Sequence, residues 1–84
     1  MGKAELGVKE RAMVVRNVER LRVVEETIAQ LRAELGVLGV LLPSLRVDPM
    51  SVAGEAGFPL VDLGRVNLDT AMRMVAVLHE RNGR

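Results

Sequence analysis

Residues 11–35 read RAMVVRNVERLRVVEETIAQLRAEL, and the fold turns on them. The run contains neither Pro nor Gly. Val14, Val18, Leu21, Val24, Ile28, Leu31 and Leu35 recur every three or four positions, which predicts one long helix over 9–35. From Leu21 onward the spacing alternates between three and four, a short coiled-coil-like seam. Continued backward, the seam lands on Asn17, with Val18 as the drifted alternative. Asn17 is therefore either a buried polar residue fixing the register or a residue on the seam's exposed edge. Met13, Val15 and Val23 add apolar surface outside the seam. A helix apolar over more than one stripe needs more than one neighbour. The neighbours expected are the C-terminal half of the chain and a second copy.

Composition narrows the rest. A chain of 84 residues makes one domain, spanning 1–84. At this size a monomer is marginal, and disulfides, metals or self-association usually stabilise it. Cysteine is absent and histidine occurs once. Disulfides, a thiolate nucleophile and a zinc site are thereby excluded or disfavoured. Helix packing or self-association is left. The single aromatic is Phe58, so the core must be aliphatic. Lys plus Arg is 12 and Asp plus Glu is 11, a balance with no overall nucleic-acid footprint. The polar, Gly-broken 1–8 segment is not a signal sequence and is expected to fray. The apolar run 36–42 is too short to span a bilayer. A cytoplasmic protein without a membrane partner is the expectation.

Working outward from the helix, Gly36 suits the left-handed stop just past Leu35. Residues 36–66 then read as extended or loop. Parts of 40–47 and 60–66 are strand candidates that can pair as a two-stranded ribbon, which needs a helix to lie on. Asp48 precedes Pro49 and is placed to cap a single helical turn over 49–53. Residues 54–59, GEAGFP, form the loop of the chain. Phe58, at its end, is expected to plug the core, with an exposed anchor as the alternative. Asn67 caps a second helix over 67–81, with Asp69 in its first turn. Leu68, Ala71, Met72, Val75 and Leu78 form its apolar stripe, which Met74 and Val77 widen.

The segments 42–48 (LPSLRVD), 59–65 (PLVDLGR) and 69–71 (DTA) resemble the C-terminal part of small uncharacterised actinobacterial proteins. In these an amphipathic helix precedes L-P-S-L-x-V-D and P-L-V-x-L-G-R elements and a closing helix. Ten of the twelve basic residues are Arg, which fits high-GC coding. The resemblance covers about half the chain. It implies the order of elements and carries over no functional residue.

Motifs that could carry chemistry are few. Asp48 and Asp62 lie on the two strand candidates, but no second titratable cluster accompanies them, so they read as a turn cap and a solvated strand residue. His79 reads as a boundary residue near a helix C-terminus, where positive charge is favoured. Residues 54–57 lack the P-loop pattern, and Ser44 and Ser51 lack a nucleophile elbow. Arg11, Arg16, Arg20 and Arg22 are the possible nucleic-acid contacts. Glutamates interleave with them, no aromatic accompanies them for base stacking, and the gap between the helices is too long for a helix-turn-helix.

The sequence thus predicts a mainly α protein. It has a long N-terminal helix, an irregular middle with a short two-stranded ribbon, and a shorter C-terminal helix packed back on the first. No catalytic residue, cofactor or metal is expected. The function expected is protein–protein interaction or regulation, with a homodimer formed through Val14, Val18, Leu21, Val24, Ile28, Leu31 and Leu35. A small dimeric DNA-binding regulator is the alternative.

Overall fold

A computed structural model describes residues 7–52 and 57–83. The expected fraying of 1–8 and the 53–56 part of the turn and Gly-rich loop fall almost wholly outside the described residues. Helix α1 spans Val8–Val37, β1 Arg46–Val47, α2 Pro49–Val52, β2 Val61–Asp62 and α3 Leu68–Asn82.

Helix α1 runs through Gly36 and stops three residues later than the first glycine predicts. Leu38 is the last near-helical residue, and Gly39 takes the left-handed conformation with φ +77°. The Gly39 N–H donates to the Gly36 carbonyl at 3.0 Å and the Val40 N–H to the Leu35 carbonyl at 2.9 Å, the Schellman pattern. The motif brings the residue after the glycine against the one three before the cap. Ending at Gly39 sets Val40 against Leu35, both apolar. Ending at Gly36 sets Val37 against Arg32. The apolar pair selects the later glycine, and Val40 becomes the most buried residue of the core at 3% exposure.

The chain then folds back along α1. β1 and β2 pair antiparallel with Arg46 opposite Asp62 and Val47 opposite Val61. Each strand is two residues long, and α2 sits between them. Asp48 organises the turn. Its carboxylate accepts the Met50 N–H at 3.1 Å, and its carbonyl accepts the Ser51 hydroxyl at 2.7 Å. Ser51 Oγ in turn accepts the Leu60 N–H at 2.8 Å, and the Asp48 N–H donates to the Leu60 carbonyl at 2.9 Å. Local side-chain bonds thus replace the ladder that so short a ribbon lacks. Past β2, Asp62 Oδ1 accepts the Gly64 N–H at 2.8 Å and Gly64 turns at φ +78°. A Cβ at Gly64 would lie 2.5 Å from Ser44 Cβ, so the two arms touch there.

The core is small and aliphatic. Val24 and Ile28 of α1 meet Val40, Leu42 and Leu45, and Leu31, Leu35, Val47, Met74 and Val77 pack around them. Arg32 crosses the seam and donates to the Leu45 carbonyl at 2.9 Å. Helix α3 begins as its sequence indicates: Asn67 Oδ1 accepts the Thr70 N–H at 2.9 Å, with Asp69 in the first turn. Its rotation about its own axis departs from the expected one. Met74 and Val77 face the core, while Leu68, Met72, Val75 and Leu78 are exposed. Periodicity marks two adjacent apolar faces on α3. The Met74–Val77 face packs, half-buried, against the cluster of Val24, Ile28, Val40, Leu42 and Leu45.

Candidate self-association surface

The predicted seam of α1 divides at Arg20. Val24 and Ile28 are buried in the chain's own core, and Leu21, Leu31 and Leu35 are half-buried beside it. On the other side, Val8, Arg11 and every residue from 14 to 19 are exposed, Val14, Val15 and Val18 at 49%, 55% and 53%. Asn17 is exposed too, so it is no core residue of this chain. The amphipathic pattern runs through both halves, but among the described residues the buried positions of α1 all lie in the C-terminal one. At 1.5 Å per residue, 8–19 extend about 18 Å beyond Arg20.

Arg20 marks the boundary. Its guanidinium donates to the Gly57 carbonyl at 3.0 Å and stands 5.8 Å from the centre of the Phe58 ring. This contact is a cation–π pair at the surface. Phe58 is 57% exposed, so the expected core plug is overturned and the ring instead ties the loop to α1. The core is closed without it, because Val40, Leu42 and Leu45 already fill the space over Val24 and Ile28. Of the four arginines singled out for nucleic acid, Arg20 is half-buried, and Arg11, Arg16 and Arg22 are exposed.

The polar groups hold turns rather than a pocket. Arg46 Nε approaches Asp62 Oδ2 to 3.5 Å across the ribbon, at exposures where such a pair is worth about 0–1 kcal/mol. Ser44, Arg46, Asp62, Gly64 and Arg65 line a hollow of about 440 Å³ beside it. Asp48 is not among its walls, since its carboxylate faces the Met50 N–H. Asp48 and Asp62 therefore serve separate turns. His79 is exposed in the last turn of α3, and its carbonyl accepts the Gly83 N–H at 2.9 Å. Among the described residues no group of three or more His, Asp or Glu side chains is placed to hold a metal, and no helix is long and apolar enough to cross a membrane.

What the chain presents in quantity is apolar surface. The accessible area is 6921 Å², against about 4,900 Å² for a compact folded monomer of 9.2 kDa. The radius of gyration is 18.0 Å, against about 12 Å for a compact chain of this length. The exposed stripe of α3, with Leu68, Met72, Val75 and Leu78 at 72%, 58%, 67% and 57%, is the second apolar run after the free half of α1. Its residues stood out in the sequence; only their orientation did not. No protein-family model matches the chain, and neither a curated protein nor a solved structure matches it.

Proposed function

We propose that this chain is a non-catalytic interaction protein that self-associates, with the free half of α1 pairing with its counterpart in a second copy. One observation carries the reading: Val14, Val15 and Val18 continue the apolar pattern of α1 past its covered part and stand 49%, 55% and 53% exposed. The pairing face is the part of the seam the chain does not use itself: Val14 and Val18, with half-buried Leu21 at its end. Val24, Ile28, Leu31 and Leu35 support the contact from inside, by fixing the helix on its body.

The test is hydrogen exchange along α1 at two protein concentrations. Pairing predicts that amides of 8–19 gain protection as concentration rises, while those of 24–35 are protected at both. The double variant V14E/V18E is expected to abolish the concentration dependence and leave the 24–35 protection intact. Exchange over 8–19 that is fast and equal at both concentrations in the native chain would refute the pairing.

A further inference from the structure

We infer that α3 is a second self-association surface, on which two copies pair antiparallel through the outer stripe with Val75 at the two-fold axis. This contact lies on a different element from the pairing face of α1 and stands or falls separately from it.

Three observations carry it. First, α3 is apolar on two faces and the chain covers one. Met74 and Val77 are taken by the core, and Leu68, Met72, Val75 and Leu78 are more than half exposed. Second, Leu68, Ala71, Val75 and Leu78 are spaced three, four and three apart, the seam of a two-helix contact. Such a stripe suits a helix, and an identical stripe is self-complementary across a two-fold axis. Third, the helix dipoles and one flanking pair favour a direction. Asp69 lies in the first turn, and the last turn carries His79 and Arg81 with Glu80 between them. Antiparallel pairing about Val75 sets Asp69 of one α3 beside Arg81 of the other and opposes the two helix dipoles, whereas parallel pairing aligns the dipoles. The stripe itself allows for it: Leu68, Met72, Val75 and Leu78 stand at 57–72% exposure on an element separate from the α1 face.

In this register Val75 meets its own counterpart, while Leu68 of one copy lies beside Asn82 of the other. The chain has no cysteine, so single cysteines report the geometry cleanly. Oxidation of V75C is expected to give a disulfide-linked dimer in high yield, and oxidation of L68C at the same concentration very little. Cross-linking of both would show parallel pairing and overturn the inference, as would cross-linking of neither. Light scattering on M72E/V75E separates this contact from the one on α1. Both positions are exposed, so circular dichroism should show native helix content. The variant's mass is expected to fall, to twice 9.2 kDa where α1 pairing persists. A mass unchanged from that of the native chain would overturn the α3 contact while leaving the α1 pairing standing.

Discussion

The two halves of α1 carry one pattern and meet two fates. From Leu21 to Leu35 the seam closes on Val40, Leu42 and Leu45, and Val24 and Ile28 are 6% exposed. From Val8 to Glu19 every described side chain is exposed. Helical periodicity is a property of the stretch, whereas burial is a property of what arrives to cover it. The chain that follows α1 turns back at Gly39 and reaches Arg20 through Gly57 and Phe58. Among the described residues no contact from that segment is seen on α1 beyond Arg20, and the helix runs on to Val8. The Schellman stop at one end and the Arg20 contact at the other thus bracket the covered half.

The contrast is broken most severely inside the covered half. Ile28→Ala removes a core side chain from a cluster of five buried residues and is expected to cost about 2–5 kcal/mol, read by urea denaturation. Val14→Ala at the free end should cost only a few tenths in dilute solution, and any larger loss should grow with protein concentration. Equal, concentration-independent losses at the two sites would remove the distinction between the halves. Next in size is Gly64→Ala. The backbone is left-handed there and the new methyl meets Ser44 at 2.5 Å, so a loss of about 1–3 kcal/mol is expected.

Two glycines at the end of α1 sharpen the account of where the covered half stops. Gly39→Ala, at φ +77°, should destabilise by about 1 kcal/mol. Gly36→Ala lies in the helix with nothing within 4 Å of the added methyl, and should stabilise by about 0.5–1 kcal/mol. The opposite signs at positions three apart would be read as opposite shifts of the thermal midpoint. A loss at Gly36 would place the stop there instead. Smallest is Phe58→Ala, which should cost under about 1 kcal/mol, since the ring is exposed and its contact with Arg20 is a surface cation–π pair.

Much of this fold was legible in the residues. The long helix was expected over 9–35 and spans Val8–Val37. The ribbon, the Asp48 turn and the Asn67 cap follow from local chemistry, because a carboxylate or amide beside free N–H groups finds them within three residues. What was not legible depends on distant partners. Gly36 and Gly39 have equal local claims to end the helix, and the Leu35–Val40 contact decides between them. Met74 and Val77 lie at the margin of the apolar stripe in sequence, yet they are the half-buried ones, because the core cluster lies on that side of α3. Phe58 was read inward because a lone aromatic usually supplies core volume. Five aliphatic side chains had already filled that volume, and Arg20 offered the ring a place outside it. The proposed pairing face was half legible: the seam residues are evident, but which of them the chain buries in its own core depends on its return path.

If the exposed apolar stripes of α1 and α3 belong to contacts between copies, light scattering on the native chain during size-exclusion chromatography, at micromolar concentration and above, should give a mass at least twice 9.2 kDa that falls on dilution. A mass of 9.2 kDa at every concentration would contradict it.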